Sequence, residues 1–208
     1  TSDNPIFKNV DVTLILAMTD SNRFNNDSFL LNLTKKTIIQ YNDGFRKCVK
    51  PDSITRSNQD INHAYYTAFN YLSGYDNVII LEDDAVVLNY NKYHYNIIDK
   101  YIQNNNFDII SLGSLGLFNK INDDFYNITS GTAGAQAQII SKETRTLTSK
   151  QIIAGKFIGH IDLDYFSNYG VIIYKEPLVV QVFTDTENFR NWDYMPTWVH
   201  RSTTLLNV

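Results

Sequence analysis

Ile79-Ile80-Leu81-Glu82-Asp83-Asp84-Ala85-Val86-Val87 sets three consecutive carboxylates between two apolar runs. Burying an unpaired carboxylate is expensive, and neighbouring like charges resist joint ionisation. A divalent cation removes both objections, and oxygen ligands of this kind suit Mg²⁺ or Mn²⁺. In an extended segment Glu82 and Asp84 point to one side and Asp83 to the other. Two carboxylates can then face a metal while the third reaches another group, such as a ribose hydroxyl. The run Val78–Leu81 predicts a central strand, which places the cluster at its carboxyl end. In an open α/β sheet that is where ligands bind. The plainer alternative is a solvated acidic turn after a core strand. The apolar run resuming at Ala85 weighs against it.

Working outward, Asp11–Met18 is a mostly apolar run that predicts a buried strand, ending at the polar loop Thr19–Asn22. Asp27–Tyr41 has near-helical apolar spacing, and Asp60–Leu72 places Ile61, Ala64, Tyr65, Ala68, Phe69 and Leu72 on one helical face. Tyr93–Ile102 predicts a further helix and Phe107–Leu112 a strand. Ser130–Gly134 reads as a small-residue loop into a strand over Ala135–Ile140, and Ser141 as a helix start. Asp162 is expected to cap a short helix stopping at Gly170, with strands at Val171–Tyr174 and Leu178–Gln181. Strands alternating with helices imply βαβ units. Right-handed crossovers make the expected fold an open, mostly parallel α/β sheet with helices on both faces, a three-layer sandwich. No repeat, low-complexity stretch or linker splits the chain, so residues 1–208 are expected to form one domain. Because the sequence opens at Thr1, that domain is expected to come from a longer protein.

Composition narrows the function classes. Of 208 residues, 43% are apolar and 13% aromatic, enough for a sizeable core, while charged residues are only 19% and the net charge is -4. That balance excludes a disordered chain and argues against a nucleic-acid binder with a basic face. Cys48 is the single cysteine, so no internal disulfide forms and a reducing, cytoplasmic compartment is expected. No apolar run approaches the roughly 20 residues that span a bilayer. Three N-x-[ST] sequons, at Asn26, Asn32 and Asn127, are unremarkable in so asparagine-rich a chain. A P-loop, a Rossmann G-x-G-x-x-G, an H-E-x-x-H and a Cys/His zinc set are all missing from the sequence.

With the acidic block in hand, the chain resembles GT-A-fold glycosyltransferases, especially the family of bacterial lipooligosaccharide and procollagen galactosyltransferases. Ile80–Asp84 matches an I-L-E-D-D block, and Asn62-His63 stands where a Ser-His or similar pair lies upstream. Gly131-Thr132 and Ile140-Ser141 resemble a Gly-Thr-x-x-Tyr-x-I-S segment, with altered spacing and no tyrosine. His160-Ile161-Asp162 matches a Pro-x-Asp element lacking its proline, and Pro177–Gln181 a Pro-x-x-x-Gln strand. The compact, Asn-, Ile- and Tyr-rich chain also resembles GT-A domains of large DNA viruses that glycosylate their own capsid proteins, for which the compartment would be the host cytoplasm.

The resemblance implies a transferase that moves a sugar from a nucleotide-diphosphate donor, UDP-linked by preference, to a hydroxyl of a glycan or glycoprotein, with inversion. It implies Mn²⁺ or Mg²⁺ held by Asp84 and Glu82, with His200 as the late histidine that many GT-A enzymes add. Asp83, Thr19, Asp20 and Arg23 would meet the base and ribose, and Arg56 the diphosphate. Asp162 and Asp164 are the candidate general bases; a capping role would make Asp162 a weaker one. Each residue has a structural alternative: a polar loop for Thr19 and Asp20, a surface cation for Arg56, a packing histidine for His200. A core histidine is the expected role of His63. Rival functions are a metal-dependent nucleotidyltransferase, a carbohydrate-binding module built on the many aromatics, and a degenerate transferase scaffold.

Overall fold

A computed structural model describes residues 4–19, 28–45, 48–113, 115–157 and 159–181. Ten strands and four α-helices are described: β1 Val12–Met18, α1 Ser28–Leu31, β2 Thr37–Asn42, α2 Ser57–Tyr71, β3 Asn77–Glu82, β4 Ala85–Val87, α3 Lys92–Asn104, β5 Ile109–Ser111, β6 Leu115–Lys120, β7 Phe125–Ala133, β8 Ala137–Ser141, α4 Lys142–Ala154, β9 Val171–Tyr174 and β10 Val179–Gln181. Eight strands make a central sheet in the order β2-β1-β3-β8-β5-β9-β7-β6, and β4 and β10 pair separately. Chained through their pairings, six of the eight strands run one way, with β8 and β7 reversed. This is the open, mostly parallel α/β sheet expected from the sequence.

Strand alternation explains the three layers. Val12, Leu14 and Leu16 of β1, with Val78 and Ile80 of β3, pack against Tyr65, Ala68 and Phe69 of α2 and Ile152 of α4. Ile15, Ile79 and Leu81 face the other way, against Tyr95, Ile98 and Ile102 of α3 and Phe7 of the N-terminal segment. A strand covered on both faces reads as a continuous apolar run, as β1 and β3 do. The buried Arg145 of α4 ties the layers together at the far end of α2. Its guanidinium donates to the carbonyls of Tyr75 (2.5 Å), Ile140 (2.6 Å), Leu72 (3.3 Å) and Asp76 (3.3 Å). Those acceptors include carbonyls that a helix end leaves unsatisfied. Burial lowers its pKa to about 10.

Three local expectations are corrected. Asp27–Tyr41 is not one helix: α1 spans only Ser28–Leu31, and Thr37–Asn42 forms edge strand β2, parallel to β1. The β-branched run Thr37-Ile38-Ile39 favours a strand, and Thr37 Oγ1 caps the carbonyl of Leu31 while Thr34 Oγ1 pairs with Thr13 Oγ1. Ser130–Ala133 is the end of β7, which pairs with β6 on one side and β9 on the other. Its β6–β7 turn is set by Asn122 Oδ1, which accepts the N–H groups of Asp124 and Phe125. Finally, His160 rather than Asp162 precedes the turn expected as a short helix. That turn is a π-helical turn, Ile161–Tyr165, followed by a 3₁₀ turn, Phe166–Asn168.

Candidate functional site

The carboxyl ends of β1, β3 and β5 and the start of the reversed β8 share one edge of the sheet. Glu82 ends β3 there, its N–H donating to the carbonyl of Gln136 at 2.9 Å. The chain then turns through Asp83 and Asp84 into β4, which pairs with β10 rather than with the main sheet. The two aspartates are only 6% and 4% exposed, so the solvated-turn alternative does not hold. Asp83 Oδ2 accepts the N–H of Met18 at 3.1 Å, fastening the turn to the end of β1.

The Glu82 carboxyl is held well above its ordinary range. Burial is the main cause, the charges of Asp84 and then Asp162 add to it, and together they push its pKa up to about 8. The Tyr65 hydroxyl lies 3.2 Å from Glu82 Oε1 and 3.1 Å from the carbonyl oxygen of Ala135. The phenol proton is shared between these two acceptors. Its contact with Glu82 favours the carboxylate, so the upward shift of Glu82 comes from burial and the neighbouring aspartates against that contact. Burial, followed by Glu82, raises Tyr65 well above the usual phenol range.

Asp162 reaches the same neighbourhood from a distant part of the chain, close enough to act on both Glu82 and Tyr65. Its Oδ2 accepts the N–H of Gly134 and its Oδ1 the N–H of Leu163, both at 3.0 Å. Each oxygen keeps a second lone pair. Gly134 has φ +97, and a Cβ there would lie 2.5 Å from Gln136 Oε1, so only glycine fits. Gln138 Nε2 holds the Gly134 carbonyl at 2.7 Å. Asp164 is placed differently. It is exposed, and its Oδ2 accepts the N–H of His160 at 2.6 Å, closing its own turn.

Among the remaining sequence candidates, Thr19 follows β1 beside the acidic turn, but its Oγ1 donates to Asp43 Oδ1 at 2.9 Å. Arg56 is exposed immediately before α2. His63 packs edge-on against Phe157. Asp20, Arg23 and His200 lie outside the described residues. Among the described residues, no group of three or more His, Cys, Asp or Glu converges as a metal cage. A Mg²⁺ or Mn²⁺ bound through one or two carboxylates, with phosphates and waters completing its shell, needs none. The hard oxygens of Glu82 and Asp84 fit such an ion.

No protein-family model matches the chain. No curated protein matches it in sequence. Solved structures similar to it include A197 from STIV, at 12% identity and a TM-score of 0.46, covering 79% of this chain and 81% of that one. Another is a glycosyltransferase involved in glycosylation of the major capsid of PBCV-1, at 11% identity and a TM-score of 0.40, covering 69% and 66%. A third is UDP-glucose pyrophosphorylase complexed with UDP-glucose, at 13% identity and a TM-score of 0.41, covering 79% and 72%. Similarity of this degree assigns neither activity nor site residues.

Three contributors escape a reading of the sequence: Tyr65 reads there as one more apolar residue on the α2 face, Gly134 as part of a small-residue loop, and Gln138 as an ordinary polar position, while Asn62 enters only beside His63 through the resemblance. Only the lone tyrosine hydroxyl on a buried helix face carried a signal, because a buried phenol needs a partner.

Proposed function

We propose that this chain is a metal-dependent glycosyltransferase domain. It moves a hexose from a nucleotide-diphosphate sugar, UDP-linked by preference, to a hydroxyl on a glycan or protein, with inversion. One observation carries the reading: a Glu-Asp-Asp turn with both aspartates buried, at the carboxyl end of a central strand, joined by Asp162 from 78 positions later in the chain. Open α/β sheets bind ligands at this edge, and separated carboxylates are what metal binding and proton removal need.

Asp84 and Glu82 would hold the Mn²⁺ or Mg²⁺, which when bound supplies Lewis-acid charge neutralisation to the leaving diphosphate. Asp83, fixed by the Met18 N–H, would orient the ribose. Thr19, whose hydroxyl proton goes to Asp43, would meet the base only as an acceptor through its oxygen, and exposed Arg56 is available to phosphate. Asp20, Arg23 and His200 keep the donor and metal roles the resemblance implies. Asp162 would take the acceptor hydroxyl's proton as that oxygen attacks the anomeric carbon. Its two backbone hydrogen bonds fix its direction. Asp164, exposed and engaged in its own turn, is the weaker base candidate.

The test is release of UDP from UDP-sugars, with Mn²⁺ present and a panel of acceptors. Release that requires Mn²⁺ and falls in Asp162→Asn supports the reading; a folded protein that releases no nucleotide from any sugar donor overturns it.

A further inference from the structure

Helix α2 touches both halves of the site. Tyr65 reaches Glu82 at 3.2 Å, and one turn earlier Asn62, fully buried, donates its Nδ2 hydrogens to the carbonyls of Phe157 and Gly159, both at 2.8 Å. Asn58, a further turn back, donates to the same Gly159 carbonyl at 2.9 Å. The amide orientation of Asn62 is fixed by its partners, since its oxygen in that place would face two carbonyl oxygens.

The clasped segment is unusual backbone. Lys156 and Phe157 have φ of 51 and 65, and Gly159 has φ of 102. Non-glycine residues adopt this region at a cost and keep it only where surrounding contacts over-determine it. The segment leads directly into the π-helical turn. A Cβ on Gly159 would meet the Asp164 side chain at 3.0 Å, and His160 N–H bonds Asp164 Oδ2. Asp162 stands two residues further on.

We infer that Asn62 is a positioning residue. By holding the carbonyls of Phe157 and Gly159 before the π-helical turn, it sets where Asp162 stands relative to Glu82, with α2 as the common ruler. The inference rests on the proposed role of Asp162, but the clasp itself can be tested separately.

The experiment combines amide hydrogen exchange with steady-state kinetics on Asn62→Asp, which keeps the side chain's shape and puts an oxygen against the two carbonyls. In the variant, exchange at His160 and Gly134, whose N–H groups bond Asp164 and Asp162, is expected to accelerate about tenfold or more, while β1 and β3 stay protected. Turnover is expected to fall up to about 100-fold, as for a misplaced catalytic group. The donor KM is expected to stay within about twofold. Asn58→Ala, which removes one of three bonds, gives the same pattern more weakly and stands in if Asn62→Asp does not fold. Unchanged exchange in these amides overturns the inference whatever the activity, and so does a KM that rises with kcat intact. If the wild type turns over no nucleotide sugar, the proposed function fails, and exchange alone decides the clasp.

Discussion

The acidic turn and the Asp162 turn meet at one edge of the sheet, yet they are built by opposite means. Glu82-Asp83-Asp84 continues a strand buried over Val78-Ile79-Ile80-Leu81, and the hydrogen bonds that hold it come from neighbouring strands and α2. Asp162 sits on a single π-helical turn after a left-handed segment, held by the glycine of another connection and by side chains of α2. Regular sheet places the carboxylates that would meet a metal. Irregular backbone, fixed at several points, places the candidate base. The first should tolerate little change in charge and the second little change in geometry.

The sharpest way to break that contrast is at Asp162. Asp162→Asn removes the base and leaves one acceptor where the turn uses two, for Gly134 N–H and Leu163 N–H, so kcat is expected to fall by about 10²–10⁴-fold, with donor affinity by calorimetry unchanged. Asp164→Asn should leave turnover near wild type, because Asp164 serves its own turn; a larger loss there than at Asp162 would exchange their roles.

Gly134→Ala comes next. The backbone is left-handed there and the new methyl meets Gln136 Oε1. Strain of about 1–3 kcal/mol should lower the melting temperature by about 2–10 °C, with kcat falling alongside because the Gly134 N–H aims Asp162. An unchanged melting curve would show that the connection relaxes freely.

The smallest effect is on pH dependence. In the metal-free protein Glu82 has its pKa raised from 4.5 to about 8, so the folded state binds this proton more tightly than the unfolded chain does. Its contribution to stability is full below the unfolded value and is lost as pH rises through about 8. Glu82→Gln cannot lose that contribution. Relative to wild type, the metal-free variant should therefore gain stability steadily from pH 5 to pH 8 in denaturant titrations. A constant difference across that window would contradict the burial of a neutral carboxyl.

The two turns also differ in how legible they were. β1, β3, α2 and α3 follow from apolar periodicity, because both faces of the strands are covered and each helix buries one stripe. With β3 placed, Glu82–Asp84 falls at the strand end by counting. The Asp27–Tyr41 stretch misled because its spacing fits a helix while the β-branched residues Thr37-Ile38-Ile39 fit an edge strand, and pairing with β1 decides the matter. The β6–β7 hairpin is marked locally only by its Asn122 turn, and the reversal of β8 arises from long-range pairing that no local pattern encodes. Asp162 could be singled out as a carboxylate, but not oriented. The groups that aim it, Gly134 and, through the loop, Asn62, lie 28 and about 100 positions away.

The most direct test of the central claim is calorimetric titration of UDP-glucose and other nucleotide sugars into wild type and Asp84→Ala, with Mn²⁺ and then with EDTA. Binding to wild type that needs Mn²⁺ and disappears in Asp84→Ala is the predicted result. A folded wild type that binds no nucleotide sugar, or binds it equally well in EDTA, would contradict the assignment of the Glu82–Asp84 turn.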